Sequence, residues 1–225
     1  MSDSPVLVIT GASSGIGAAT ARHAVAAGYR VVLAARSADK LDPLAAEIDG
    51  LAVPTDVTVW EDNEALIARA LEAYGRVDAV FANAGFGAKR GWLEETPEFW
   101  REMVLTNVLG AAYTARAAFE ALTASRGHLL LTGSVAGRRA ISGSLYSCTK
   151  HAVTAMGESL RQEFNGTGVR VTLIEPGMVD TPFFENKPTG ALEADDIARA
   201  VIYALSQPPH VDVNEILIRP VTQEL

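Results

Sequence analysis

The sequence predicts an α/β fold: a doubly wound parallel sheet of about seven strands with helices on both faces, in a single domain. Three observations carry that expectation. Short apolar, β-branched runs alternate with longer segments that show helix caps and helical periodicity along all 225 residues. The first run, Val6-Leu7-Val8-Ile9, leads directly into the turn Thr10-Gly11-Ala12-Ser13-Ser14-Gly15-Ile16-Gly17, and a helical pattern follows. The length fits one α/β domain with no separate substrate domain, and it suffices to bury a full core.

Taken in order, Val6 to Ile9 reads as a buried strand, and Ile16, Ala19, Ala24 and Ala27 mark a helix that Gly28 stops. Arg30 to Ala35 is the second strand, and Ser37 to Ile48 a helix opened by a serine cap. Leu51 to Val53 is a short third strand. Glu61 to Tyr74 is helical, with acidic residues in its first turn where the helix dipole favours them. Val77 to Ala82 is the fourth strand. Thr96 as a cap and Pro97 at the first helical position open a long helix reaching to the region of Ala121. His128 to Thr132, Val169 to Ile174 and Glu215 to Arg219 are the remaining strands; Leu145 to Phe164 and Glu193 to Ser206 are the remaining helices. No repeat, low-complexity tract or linker interrupts the series. In such sheets ligands bind beyond the carboxyl ends of the strands, at the topological switch.

Composition bounds the function. A hydrophobic content of 48% suits a globular chain, and a net charge of -8 argues against sequence-independent nucleic-acid binding, which needs a basic surface. No apolar run approaches the ~20 residues of a membrane span. The first strand begins close to Met1, which leaves no room for a secretory signal before it. Cys148 is the single cysteine, so no intrachain disulfide can form, and the expected location is cytoplasmic. Lying between two candidate catalytic residues, Cys148 reads as a small helical packing residue. His23, His128, His151 and His210 lack metal-ligand spacing, and no metal is expected.

The chemistry is concentrated at Tyr146, which has Lys150 four residues after it and Ser134 twelve residues before it. On a helix, residues i and i+4 share a face. An ammonium held there would favour the phenolate and draw a phenol that titrates near ~10 down towards neutral pH. Such a group can exchange a proton with an alcohol or carbonyl oxygen. The other tyrosines, Tyr29, Tyr74, Tyr113 and Tyr203, have Leu33, Asp78, Ala117 and Gln207 at that spacing. At the amino terminus, the strand, the glycine turn and the helix start form the context of a phosphate-binding loop. Glycine lets the backbone approach a pyrophosphate, and the helix start offers free N–H groups. The spacing is T-G-x-x-x-G-x-G.

These motifs together resemble the short-chain dehydrogenase/reductase family, in its short single-domain branch, over nearly the whole chain. Thr10 to Gly17 resembles its cofactor loop, with Gly11, Ser13, Ser14, Gly15, Ile16 and Gly17 as the contacting positions. Asn83-Ala84-Gly85 resembles its second motif, with Ala82 where an asparagine is more usual. Asn107 resembles its structural and catalytic asparagine, Ser134, Tyr146 and Lys150 its active site, and Pro176-Gly177-Met178-Val179-Asp180-Thr181 the segment that holds the nicotinamide. The resemblance implies a Rossmann-like fold and hydride transfer between nicotinamide C4 and a substrate carbon. Tyr146 would be the general acid/base, and Lys150 would lower its pKa and bind the nicotinamide ribose. Ser134 would bind the substrate oxygen, and Asn107 would position Lys150 through water. Asp56-Val57 resembles the pair that contacts adenine, although Asp56 also reads as a cap before the next helix. Pro176, Gly177, Val179 and Thr181 join Tyr146 and Lys150 on the expected cofactor surface. The family's usual dimer surface lies on the two long helices flanking the fifth strand. A homotetramer is the first expectation for assembly and a dimer the second.

Cofactor and substrate follow from further residues. An acid after the second strand would bind a ribose hydroxyl, whereas an arginine there accommodates a 2′-phosphate. The sequence reads Leu33-Ala34-Ala35-Arg36-Ser37, so NADP(H) is expected through Arg36, with NAD(H) possible. Asp39 lies close enough to matter. A small carbonyl or alcohol substrate would be selected by three loops: Phe86 to Trp92, Ala136 to Ser144, and a flap over 183–192 within the segment 180–192. Phe183 and Phe184 favour an apolar or small aromatic substrate or else pack beneath the flap. Arg138 and Arg139 read either as carboxylate binders or as solvated charges. The run Asn214 to Pro220 resembles a subgroup acting on small alcohols and 3-hydroxy acids. The alternatives are a non-catalytic NADP-binding or sensing protein on the same fold, a methyltransferase, which would have no use for Arg36 or the Tyr146–Lys150 pair, and an epimerase or dehydratase relative, which usually has another glycine spacing and a longer carboxyl-terminal region.

Overall fold

The chain is seen here in a computed structural model that describes residues 4–184 and 188–223. Its strands are β1 (Val6–Thr10), β2 (Arg30–Ala35), β3 (Leu51–Pro54), β4 (Ala79–Ala82), β5 (His128–Thr132), β6 (Arg170–Pro176), β7 (Val179–Asp180), β8 (Leu192–Glu193) and β9 (Glu215–Ile218). Its α-helices are α1 (Gly15–Ala26), α2 (Ala38–Ile48), α3 (Trp60–Tyr74), α4 (Pro97–Val104), α5 (Ala111–Ser125), α6 (Leu145–Glu163) and α7 (Ala194–Leu205). Seven strands form one parallel sheet in the order β3-β2-β1-β4-β5-β6-β9. The winding reverses between β1 and β4, which opens a crevice at their carboxyl ends.

The period of two in each strand decides which helices it meets. Val6 and Val8 of β1 face a core shared with Leu66 and Ile67 of α3, Ala115 and Leu122 of α5, and Val153 of α6. Leu7 and Ile9 face the opposite core, shared with Ala21 of α1, Leu41 and Leu44 of α2, and Ile197 and Val201 of α7. Both faces are dry, which is why these strands read as continuous apolar runs rather than alternating ones.

Several local expectations hold. Thr96 accepts a hydrogen bond from the backbone N–H of Phe99 at 3.2 Å, with Pro97 at the start of α4. Others are corrected. Ser37 precedes α2, but its side chain makes no capping hydrogen bond. The single long helix after Thr96 is three pieces: α4, a π-helical segment (Leu105–Gly110) and α5, which runs past Ala121 to Ser125. A π segment adds a residue to the turn and is frequently found at functional sites, and here it contains Asn107. Glu193 and Asp196 form a reciprocal capping box on α7. The short pair β7–β8 closes the base of the expected flap, whose residues 185–187 lie outside the described residues. Among the described residues, no helix is long and apolar enough to cross a membrane.

Candidate active site

A cleft of about 980 Å³ lies over the carboxyl ends of β1, β4, β5 and β6. The glycine turn forms its floor. Gly11 has φ +64°, and a Cβ there would lie 2.8 Å from Ala84 Cα. A Cβ on Gly17 would lie 2.3 Å from the carbonyl oxygen of Gly11, so α1 can pack this tightly on the loop only with glycine at that position. The first backbone hydrogen bond of α1 runs from Ala18 N–H to the Ser14 carbonyl at 3.2 Å, and Ser14 provides no side-chain cap. The N–H groups before Ala18 therefore have no partner within the helix, which suits an anion such as a pyrophosphate. Ser13, Ser14, Gly15 and Ile16 line the cleft with Gly11, whereas Gly17 is buried beneath them and does not.

Asn83 ties the strand ends together. Its Nδ2 donates to the carbonyls of Thr10 and Gly11 at 3.1 and 3.3 Å, and its Oδ1 accepts from Thr132 Oγ1 at 3.0 Å. Thr10 Oγ1 accepts in return from the backbone of Asn83 and Ala84 at 3.0 and 3.2 Å. Ala84 and Gly85 join Asn83 on the cleft wall, and Ala82 is buried below.

At the far end of the cleft stand Arg36, Ser37, Lys40, Asp56 and Val57. Lys40 sits one helical turn beyond Arg36, and the sequence reading missed it although its i+4 spacing was visible. Arg36 and Lys40 have no ion-pair partner among the described residues, and Asp39 does not line the cleft. Asp56 is turned inward on its own backbone: its Oδ1 accepts from Thr58 N and Oγ1 at 2.9 and 2.7 Å. It lines the cleft and accepts from the turn before α3, as the cap reading expected.

Ser134, Tyr146 and Lys150 converge at the centre. Ser134 begins a 3₁₀ turn (Val135–Gly137), accepts from Ala136 N at 3.1 Å and donates to the Pro176 carbonyl at 3.4 Å, and its hydroxyl is near enough to the Tyr146 phenol to favour the phenolate. Lys150 is buried, donates to the carbonyl of Thr132 at 2.7 Å, and holds its ammonium 5.6 Å from the Tyr146 ring centroid. The expected lowering of the phenol pKa is corrected. Burial pushes Tyr146 up to about 12, only partly opposed by the Ser134 hydroxyl. Burial pulls Lys150 down to about 8. Desolvation disfavours each charge.

Asn107 does not line the cleft. It is buried in the π segment, where its Oδ1 accepts from Phe86 N at 3.0 Å and its Nδ2 donates to Phe86 O at 2.9 Å and Thr149 Oγ1 at 3.3 Å. It fixes the loop after β4 and the helix next to Lys150 in one piece. Pro176, Gly177, Val179 and Thr181 also line the cleft, and Met178 N–H is held by Gln223 Oε1 at 2.8 Å.

Arg138 is corrected as a carboxylate-binding candidate. Its Nε bonds Oε2 of the buried Glu175 at 2.7 Å, and it also pairs with Glu215. Those carboxylates hold the guanidinium firmly charged. Glu175 Oε1 accepts from Thr154, whose hydroxyl also meets the carbonyl of Lys150 at 3.1 Å. One buried carboxylate therefore links the Ser134 turn to the Lys150 helix and to Pro176. It is the single acidic residue in β6, a signal the sequence reading left unused. Cys148 is corrected too: it is exposed on α6 rather than packed. Phe183 lies edge-on to Tyr146 with 5.5 Å between ring centroids, and it fills the space over Gly87, where a Cβ would lie 2.5 Å from its Cζ.

The sequence profile described as short chain dehydrogenase matches residues 5–191. An uncharacterised oxidoreductase of Staphylococcus haemolyticus is 42% identical over 224 residues, covering 96% of this chain and 97% of that one. Among solved structures, an alcohol dehydrogenase from the archaeon Thermococcus sibiricus, complexed with 5-hydroxy-NADP, superposes with a TM-score of 0.92 at 36% identity over 98% of both chains. Serine dehydrogenase from Escherichia coli superposes with a TM-score of 0.89 at 29% identity, covering 98% of this chain and 100% of that one. The glycine turn, the β1–β4 crevice and the Ser134, Tyr146 and Lys150 cluster are thus set in a shared framework, and the chain is an oxidoreductase that belongs to the short-chain dehydrogenase/reductase family.

Proposed function

We propose that the protein reversibly interconverts a small alcohol and its carbonyl compound with NADP(H), using Tyr146 as general acid/base. The observation that carries this reading is the convergence of the Tyr146 hydroxyl, Ser134 and the Lys150 ammonium at the centre of the cleft. The nicotinamide supplies or accepts the hydride; the chain supplies position and protons. In reduction, the Tyr146 hydroxyl gives its proton to the carbonyl oxygen as that oxygen takes on negative charge, and Ser134 donates a second hydrogen bond to it. Tyr146 then regains a proton from solvent. Lys150 steadies the transient phenolate by charge, and Asn107 keeps the Lys150 helix and the Phe86 loop in register. Gly11 to Ile16 would hold the pyrophosphate, Asp56 and Val57 the adenine side, Asn83 to Gly85 and Pro176 to Thr181 the nicotinamide side.

Arg36 with Lys40 supports NADP(H) over NAD(H): a forked guanidinium and an ammonium line the cleft just after β2, and such groups suit a 2′-phosphate. Of the related chains, one carries an NADP derivative, the closed form of serine dehydrogenase carries NADP+, and a 3-ketoacyl-(acyl-carrier-protein) reductase from Brucella melitensis carries NADH, so the choice rests on Arg36 and Lys40. A purely nucleotide-sensing role has no use for the intact Ser134, Tyr146 and Lys150 set. The deciding experiment is Tyr146→Phe. It should bind NADPH with unchanged affinity and lose at least about 100-fold in kcat across a panel of aldehydes and ketones, as removal of a general acid does. Near-normal turnover in that variant would reject the assignment.

A further inference from the structure

The segment after β9 folds back onto the cleft. β9 lies beside β6, and the carbonyl of its last residue, Ile218, accepts from Gly177 N–H at 2.7 Å. The buried Pro220 then opens a turn, which closes where Gln223 N–H donates to the Pro220 carbonyl at 3.0 Å. That turn brings Thr222 and Gln223 to the wall of the cleft, next to Gly177 and Met178.

Gln223 Oε1 accepts from Met178 N–H at 2.8 Å. A peptide N–H is met by the oxygen of a side-chain amide and not by its nitrogen, so the donor fixes which way the amide faces. The amide also packs on Gly177, where a Cβ would lie 2.2 Å from the same oxygen. The Met178 carbonyl is taken by Leu192 N–H at 2.9 Å. Thr222 stands beside Gly190, where a Cβ would lie 3.1 Å from its Oγ1. The turn therefore touches the chain both where it leaves β6 and where it returns to β8. Glycine has the greatest backbone freedom of any residue, so the peptide joining Gly177 to Met178 needs external contacts to hold one orientation. Here β9, Gln223 and β8 supply them.

We propose that Gln223 is a positioning residue for the nicotinamide half of the cofactor: it sets the Gly177–Met178 peptide, and with it the wall from Pro176 to Thr181 that would take that half. This rests on the reading above that Pro176 to Thr181 serves the nicotinamide side, and it adds a residue from the far end of the chain to the site. Gln223→Met keeps the length of the side chain and removes the acceptor; Gln223→Glu keeps an acceptor in place. The measurement is the dissociation constant of NADP+ and of 2′,5′-ADP, which carries the adenine half alone, for the full-length wild type and both variants. Gln223→Met should weaken NADP+ about 10-fold, the scale of one lost hydrogen bond, and leave 2′,5′-ADP within about twofold. Gln223→Glu should bring NADP+ back to within about threefold of the wild type. A general loosening of the fold would weaken both ligands together. Unchanged NADP+ affinity in Gln223→Met, equal weakening of both ligands, or no recovery in Gln223→Glu overturns the proposal. Carbonyl reduction by the wild type with NADPH is measured beside these affinities, which need no turnover. If reduction proceeds while the affinities go against Gln223, the reaction reading stands and only the positioning role falls.

Discussion

Acidification should unfold this protein through a single buried histidine. His128 opens β5 and is 1% exposed. Its Nε2 lies 2.7 Å from Thr172 Oγ1, and the Thr172 hydroxyl donates to the Val213 carbonyl at 2.6 Å. With that proton committed, Nε2 must be the donor and Nδ1 the bare nitrogen; Nδ1 has no hydrogen-bond partner. Protonation would therefore place an unsatisfied N–H and a positive charge in the core, close to Arg170. Burial first, and the Arg170 cation second, lower its pKa from 6.5 to about 3. The unfolded chain takes up this proton as pH falls through 6.5, while the folded chain refuses it until about 3. Stability from this group is thus complete above 6.5 and declines as pH falls towards 3, by about 1.4 kcal/mol per pH unit. By pH 4.5 the loss is about 3 kcal/mol, a large part of a typical ~5–15 kcal/mol total. The raised carboxyls of Glu175 and Asp212 act in the opposite sense, gaining stability as they protonate, so the histidine must be isolated by difference. His128→Gln keeps an N–H donor for Thr172 and cannot titrate. Urea unfolding followed by circular dichroism at fixed protein concentration, from pH 7.5 to 4.5, should give a steeper decline in the wild type than in the variant. Parallel stability–pH curves for the two would refute the reasoning.

Three other outcomes are expected. Arg36→Ala combined with Lys40→Ala should weaken NADPH about 10- to 100-fold while leaving NADH within about threefold, measured by fluorescence titration; equal weakening of both would remove the 2′-phosphate role. Gly87→Ala and Phe183→Ala both abolish the seat of Phe183 on Gly87 and Tyr146, so their effects on carbonyl-substrate KM should not add, and an additive double variant would break that coupling. Lys150 at about 8 and Tyr146 at about 12 are both protonated at pH 7, the state required for reduction. In the proposed reaction, steady-state profiles should therefore show reduction level up to about pH 8 and falling above it as Lys150 loses its charge, and alcohol oxidation, which needs the phenolate beside that charge, rising up to about pH 8 and then levelling; oxidation that falls as pH is raised towards 8 would contradict the roles assigned.

The sequence was most informative where one physical requirement singles out a residue type. Apolar runs beside glycine located most strands of the large sheet, because strands buried on both faces have no polar positions to confuse them; the edge strand β9, half exposed, has no glycine beside it. Gly11 and Gly17 were legible because a Cβ at either would press against backbone, at 2.8 and 2.3 Å. The Tyr146 and Lys150 spacing was legible because α6 is regular there. The π segment was not: an extra residue in a helical turn leaves no mark on an apolar pattern, so Asn107 could be placed on a helix but not joined to Phe86 and Thr149. Arg138 and Arg139 were indistinguishable in sequence, because what separates them is Glu175, which comes from another strand. Charge partners across long separations are set by topology, and a single sequence does not show them.

The pKa directions at the centre also explain why the site is built around a buried lysine rather than an exposed one. Desolvation raises the phenol and lowers the amine, so each moves towards its neutral form. A phenolate formed during proton transfer would be costly alone in such a place. Formed beside an ammonium that the Thr132 carbonyl holds at 2.7 Å, it makes a neutral pair in surroundings of low dielectric, where the attraction between the two charges is larger than in water. The burial that opposes each charge separately therefore strengthens their mutual attraction when both are present. A lysine in solvent would keep its proton more readily but would be screened and would stabilise the phenolate less. In the proposed reaction Lys150 would thus trade some of its own basicity for a stronger hold on the phenolate, with Glu175, through Thr154 and Arg138, holding the backbone of the Lys150 helix and the Ser134 turn.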